Sequence, residues 1–279
     1  MKLQIKRWIS QILFFISANL GIVGIKTGFC FPFFYCHACP ASSAACPIRS
    51  LEISVSNASK NIASVSIQLL MYPLLILWGV GILSGRAVCG WACPVGMLQR
   101  ITAKPARYLK NKFPQLKSFD GSKPDRILRY TKYIVLLSLV FIIPSLIGFM
   151  FTDICPNGLL FGTIPIMLIN PGKYVPASYF YPALVIFILF LILIFVIERG
   201  WCRYFCPVGA LLAPFNKVSY LYVDVNKEEC IKCNACSNVC PMAIDVPEMN
   251  RDPECIYCGK CVSACPKSIV NFRRLGKNG

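Results

Sequence analysis

The chain has 279 residues, 56% of them hydrophobic and only 15% charged, against the about 25% charged residues of an ordinary soluble domain, so a plain soluble fold is excluded. Its net charge of +17 would suit nucleic acid, but the Lys and Arg residues fall in blocks between long apolar runs, the pattern of membrane topology rather than of a nucleic-acid face. Seventeen cysteines exceed what packing uses, and a disulfide framework belongs to short secreted chains, which leaves metal or redox chemistry.

In chain order, the first apolar run is Trp8–Ile25, interrupted by Ser17 and Asn19 and with no small-residue cleavage site behind it. It reads as an uncleaved signal anchor and first span. The segment from Phe29 to Leu51 then gathers Cys30, Cys36, Cys39 and Cys46 around His37, the single histidine. A second span, Ile62–Leu83, leads into CGWACPVGMLQ (Cys89–Gln99) and a loop with eleven Lys and Arg between Arg86 and Lys132. That loop reads first as topology signalling, with a docking face for lipid or an acidic partner as the alternative. A third span, Tyr133–Phe151, precedes DICPNGLLFG (Asp153–Gly162). The run Leu159–Ile169 is too short to cross a bilayer and carries Pro165, so it is expected to break there and lie at the interface or re-enter. A fourth span, Tyr179–Ile197, ends at Glu198 and Arg199, read as an interfacial anchor, and is followed by CRYFCPVGALL (Cys202–Leu212). Each of the four runs approaches or matches the ~20 residues that span a hydrocarbon core.

Twenty-five of the 29 cationic residues lie before the first span, between the second and third, or after the fourth; the segment 152–178 has only Lys173. The positive-inside rule then places both termini and both C-x3-C-P motifs in the cytoplasm, and the Cys30–Cys46 and Asp153–Gly162 segments outside.

The two inner motifs are 113 residues apart, and Cys46-Pro47 and Cys155-Pro156 form a second, outer pair 109 apart. The chain therefore reads as two parallel repeats, which build sites at their interface. Cys89, Cys93, Cys202 and Cys206 make a full four-thiolate set for an inner iron–sulfur site. Cys36, Cys39, Cys46 and Cys155 make an outer candidate set, for which a Cys36–Cys39 or Cys46–Cys155 disulfide, or another metal, is the alternative. Proline after each cysteine favours a helix start and pushes the cysteine into extended backbone, while Gly96 and Gly209 permit close approach of a backbone or a cluster.

The C-terminal cysteines carry the most specific signal. Cys230, Cys233, Cys236 and Cys240-Pro241, then Cys255, Cys258, Cys261 and Cys265-Pro266, twice spell C-x2-C-x2-C-x3-C-P. In this spacing the fourth cysteine of each run serves the other cluster. Cys230, Cys233, Cys236 and Cys265 are assigned to one 4Fe-4S cluster, and Cys255, Cys258, Cys261 and Cys240 to the second. Paired zinc sites are the poorer alternative, since zinc takes four ligands around one centre. One histidine cannot supply the two axial ligands of a bis-histidine haem, so His37 reads as a packing residue. No phosphate-cradling glycine motif and no Ser/His/Asp set is present, which removes nucleotide binding and triad hydrolysis.

This combination, carried by Cys89–Pro94, Cys202–Pro207 and the eight cysteines Cys230–Cys265, resembles the NapH-type ferredoxin-like membrane proteins, related to the membrane portions of NosR and CcoG. The expected architecture is a mainly α membrane protein. Residues 1–217 form four transmembrane helices in two parallel repeats, and residues 218–279 form a small α+β two-cluster ferredoxin domain in the cytoplasm. The resemblance implies an electron-transfer subunit of a membrane oxidoreductase in the cell membrane. It would carry electrons between a cytoplasmic donor or quinol and an extracytoplasmic redox protein. Its expected cofactors are two 4Fe-4S clusters and one or two further clusters in the membrane part. Lipid, redox proteins on one or both sides and quinone are the expected partners, and nucleic acid is not. The competing readings are a reductase of extracytoplasmic metal ions or disulfides, and a metal-site assembly factor.

Overall fold

Two helical series follow one plan. In the first, Ile67–Ser84 leads through the short helix Ala87–Trp91 into Pro94–Ile101 and Ala103–Lys112. In the second, Phe180–Val196 leads through Gly200–Tyr204 into Pro207–Leu212. These elements come from a computed structural model, which describes residues 2–27, 30–36, 41–60, 67–113, 115, 119–169 and 179–275. His37, Cys39, Lys173 and the start of the second predicted span at Ile62 lie outside the described residues.

The long helices do not divide into an apolar and a polar face. Along Phe180–Val196, Phe187, Phe190 and Ile194 are buried, while Val185, Ile188, Leu189 and Ile192 are exposed. Among the described residues, Lys123–Leu146 is the one helix long and apolar enough to cross a membrane, and Leu70–Ser84, Pro156–Ile169 and Phe180–Val196 are apolar but shorter.

Two expectations are corrected and a third is extended. Pro165 does not break its run: helix continues from Pro156 to Ile169 through a π-helical turn at Leu159–Thr163. Proline has no N–H to give the turn before it, and the wider turn just ahead absorbs that loss. The same device, Leu136–Ile142 ahead of Pro144, keeps Lys123–Leu146 continuous. The first helix is also displaced, occupying Lys2–Ala18 rather than Trp8–Ile25. Asn19 helps end it, its Nδ2 donating to Phe15 O at 2.7 Å in competition with the backbone ladder. The early start has a packing cause, because Arg7 and Gln11 are buried and donate to Gly90 O at 2.7 and 3.0 Å. Finally, the cationic loop is more than a topology signal. Lys132 is buried on Glu254, and Arg129 pairs with Asp125 while donating to Ala243 O.

After Lys217 the chain forms a two-stranded antiparallel sheet, Leu221–Val225 with Val270–Arg274, registered so that Leu221 faces Arg274 and Val225 faces Val270. Val223, Val225 and Val270 are buried, so the hairpin of distant strands closes over an apolar interior. The eight C-terminal cysteines lie between the strands, with the short helices Ala235–Asn238 and Lys260–Ala264 among them.

Candidate iron–sulfur sites

The C-terminal cysteines divide between two cavities. One is lined by Cys240, Cys255, Cys258 and Cys261 with Ile244, Met249 and Tyr257; the other by Cys230, Cys233, Cys236 and Cys265 with Val225 and Val270. The fourth cysteine of each run has crossed to the other's cavity, as the spacing requires. The loops that achieve this are conformationally costly. Lys232, Asn234 and Ala243 have φ of 52°, 56° and 46°, and Tyr257, Gly259 and Ser268, each 25 residues on, have 49°, 67° and 53°. A non-glycine residue in this region costs of order 1–3 kcal/mol and persists only where its surroundings over-determine it, which bound metal does in small domains. Burial pushes the Cys240 thiol up to about 11 and Cys261 to about 12, so metal loading here must displace protons.

The two cavities face different surroundings. Ile231, Lys232, Cys233 and Asn234 are exposed, whereas Ile256, Tyr257 and Cys258 are buried against the helical part. Trp91 Nε1 donates to Tyr257 O at 2.8 Å, Asn216 Nδ2 to Cys255 O at 2.7 Å, Gln4 Nε2 to Cys258 O at 3.2 Å and Arg203 Nη2 to Pro241 O at 3.0 Å. Gly90 sits so close that a Cβ there would lie 2.3 Å from Ile256 O. Glu198, expected to be an interfacial anchor, instead holds Lys260 at 2.6 Å beside Cys261.

The repeated motif brings Cys89, Cys93, Cys202 and Cys206 together. All four are buried; Cys206 lies within electrostatic reach of the other three, and Cys93 within reach of Cys89 and Cys202. Cys93 and Cys206 are N-caps in extended backbone with Pro94 and Pro207 at the first helical position. Gly209 N points at Cys206 Sγ from 3.4 Å, and Gly96 N stands in the same relation to Cys93. Burial is the main cause pushing Cys93 up to about 12 and Cys206 well above the ordinary thiol range.

Two arginines that the motif reading passed over complete the site. Arg86 and Arg199 are also 113 residues apart, each three positions before a motif cysteine. They cross: Arg86 Nη2 donates to Cys202 O at 3.2 Å, and Arg199 Nη1 to Cys89 O at 3.1 Å. The two motif glycines make room for these guanidinium groups, since a Cβ on Gly96 would lie 2.6 Å from Arg199 Nη1 and one on Gly209 3.0 Å from Arg86 Nη2. Arg86 pairs at 2.9 Å with Glu254, a carboxylate it shares with Lys132. Arg199 is buried with no ion pair among the described residues, and its Nη2 has no hydrogen-bond partner. A signal for both arginines was present in the sequence, in the offset they share with the cysteines.

The outer set lies nearer than opposite membrane faces would place it. Cys36, Cys46 and Cys155 line one pocket with Phe34, Thr152 and Asn157; Cys39 lies outside the described residues. Phe34 O is 4.0 Å from Cys93 Sγ and accepts from Asn157 Nδ2 at 3.4 Å, so one residue separates the inner and outer thiols. The outer helices, Pro47–Lys60 and Pro156–Ile169, fold back to allow this, the first packing on Pro207–Leu212. Cys46 and Cys155 are not joined as a disulfide. Cys30 is buried within electrostatic reach of Cys46, its Sγ donating to Ala45 O at 3.4 Å.

Among the described residues no three Cys, His, Asp or Glu side chains converge as ligands of one metal ion. A cubane takes one thiolate per iron around a cavity, whereas zinc takes four ligands on one centre. The charge balance calls for a bound metal centre, because a buried, unpaired guanidinium beside four buried thiols is costly, and thiolate ligation supplies the missing negative charge.

Comparison with known proteins bears on the same segments. A family model described as a 4Fe-4S binding domain matches residues 69–114 and 179–221, one stretch in each repeat. A second, described as a 4Fe-4S dicluster domain, matches residues 215–277. The chain is 30% identical over 252 residues to the uncharacterized protein MJ0750 of Methanocaldococcus jannaschii, covering 88% of this chain and 86% of that one. It is 29% identical over 161 residues to the ferredoxin-type protein NapH of Escherichia coli, covering 56% of this chain and 47% of NapH. The methylamine utilization ferredoxin-type protein MauN of Methylorubrum extorquens is 29% identical over 201 residues, 70% of this chain and 60% of MauN. No solved structure matches the chain.

Proposed function

The chain belongs to the NapH-type ferredoxin-like proteins and is a ferredoxin-type 4Fe-4S electron-transfer protein, and on that premise we propose that it is a membrane-bound conduit between the cytoplasm and an extracytoplasmic redox partner. In this reading residues 1–217 cross the cell membrane four times, and residues 218–279 form the cytoplasmic ferredoxin domain. The apolar side chains exposed on the long helices support it, since such a surface is at rest only against lipid or another protein.

Cys230, Cys233, Cys236 and Cys265 would hold the cluster exposed to the cytoplasm. Cys240, Cys255, Cys258 and Cys261 would hold the one docked on the membrane part. Cys89, Cys93, Cys202 and Cys206 would hold a third cluster, and Cys36, Cys46 and Cys155 with Cys39 an outer one. When bound, these clusters supply one-electron carriage. The chain's own residues seat them in succession, exclude water and aim backbone N–H groups at the sulfurs, which tunes their potentials. The observation that carries the reading is the crossed Arg86–Arg199 arrangement, which surrounds four buried thiols with positive charge and joins them to the docked ferredoxin loop.

Iron and labile sulfide per chain in anaerobically purified protein test it, combined with low-temperature EPR of Cys93→Ala and Cys206→Ala. A third cluster gives about twelve irons and an outer one about sixteen, and both variants should abolish the same signal. The double variant should be no worse than either single one. About eight irons, with Cys93 and Cys206 open to alkylation in the native protein, would refute the inner site.

A further inference from the structure

We infer that Arg7 is a positioning residue for electron transfer: a buried positive charge, fixed by the N-terminal helix between the four-cysteine inner site and the docked ferredoxin cluster, that raises the reduction potential of both. The inference rests on the cluster assignments proposed above.

Leu3, Gln4 and Arg7 share one face of the helix Lys2–Ala18, as residues three and four apart do. Each touches the junction. Leu3 packs on Gly259, where an added Cβ would lie 2.5 Å from its Cδ2. Gln4 Nε2 donates to Cys258 O at 3.2 Å. Arg7 Nε donates to Gly90 O at 2.7 Å, within the motif between Cys89 and Cys93. This one turn of helix therefore reaches from the backbone of the inner motif to the backbone of a docked-cluster ligand.

Arg7 is 1% exposed, and among the described residues no carboxylate pairs with it. Glu198, a carboxylate within its electrostatic reach, is held by Lys260. Its charge is thus spent neither on water nor on a counter-ion. Cys258 and Arg199 lie within its electrostatic reach. A buried cation interacts through a low effective dielectric. Adding an electron makes either cluster more negative, so the cation stabilises the reduced form and moves the potential upward. Helix Lys2–Ala18 would serve as an electrostatic bridge between two redox centres, a role beyond anchoring the chain.

An EPR-monitored redox titration of the full-length protein tests this, with the cluster at Cys230, Cys233, Cys236 and Cys265 as internal reference because it lies on the far side of the ferredoxin fold. In Arg7→Gln the docked cluster and the inner site should shift to more negative potential, with the reference and the iron content unchanged. Arg7→Lys, which keeps the charge, should hold wild-type potentials. If Arg7→Gln does not accumulate, Arg7→Met, neutral and close to arginine in length, serves instead and should give the same negative shift.

Unchanged docked-cluster potential in either charge variant overturns the inference, as does an equal shift in Arg7→Lys. A negative shift of the docked cluster in a protein holding about eight irons supports Arg7 while removing the inner cluster, so the two readings fail separately.

Discussion

Replacing Gly90 by alanine should loosen the ferredoxin domain from the helical part. A Cβ at this position would lie 2.3 Å from Ile256 O and 3.7 Å from Cys258 Cα, where real contacts do not close below 3.0 Å. Both partners are main chain, so no rotamer can yield, and the two backbones must separate by about 0.7 Å. The neighbouring Trp91–Tyr257 hydrogen bond, 2.8 Å long, would stretch to about 3.5 Å and be lost as a good bond. Overpacking costs about 1–3 kcal/mol and the bond about 1 kcal/mol, against roughly 1 kcal/mol returned by alanine's better helix propensity. The net of about 1–3 kcal/mol lowers the docking equilibrium constant some five- to 150-fold, at a factor of ten per about 1.4 kcal/mol. Limited proteolysis of the segment 217–229, with iron content measured in parallel, reads this out. Cleavage should accelerate with the clusters retained. Gly79→Ala is the control, since nothing lies within 4 Å of its added Cβ. Matching cleavage rates in the two variants would refute the close approach described here.

Two further outcomes are expected. Glu254 pairs with both Arg86 and Lys132, which are fully buried, so Glu254→Gln should destabilise the protein by about 3–5 kcal/mol in denaturant unfolding followed by cluster absorbance; adding Lys132→Met should recover part of that, and strict additivity of the two changes would count against the triad. Glu52 is raised to about 7 from 4.5 by burial, opposed by its bonds from Thr152, so the folded state holds its proton more tightly than the unfolded chain. That contribution is fully present below about pH 4.5 and lost as pH rises through about 7. Glu52→Gln should therefore flatten the fall in melting temperature over this window, and an unchanged slope would show that Glu52 does not titrate there.

The candidate ligand sets were legible in the sequence because cluster ligation depends on residue type at fixed local spacing. The doubled C-x2-C-x2-C-x3-C-P run names its eight cysteines, and a proline after Cys93, Cys155 and Cys206 dictates an extended cap and a helix start within one turn of chain. The 113-residue offset likewise announced that two halves would meet. What the halves do to each other was decided only in three dimensions. Arg86 looked like a loop charge, Arg199 like an interfacial anchor and Lys132 like a topology signal, because their partners Cys202, Cys89 and Glu254 lie more than a hundred residues away. The N-terminal helix read as an anchor, since nothing local tells that Arg7 will be buried on Gly90. The proline rule also misjudged Pro165, where a π-helical turn carries the helix past the proline. Thiol spacing is a property of a few consecutive residues, whereas the placement of buried charge is a property of the packed whole, and the electrostatics around the inner cysteines belong to the second kind.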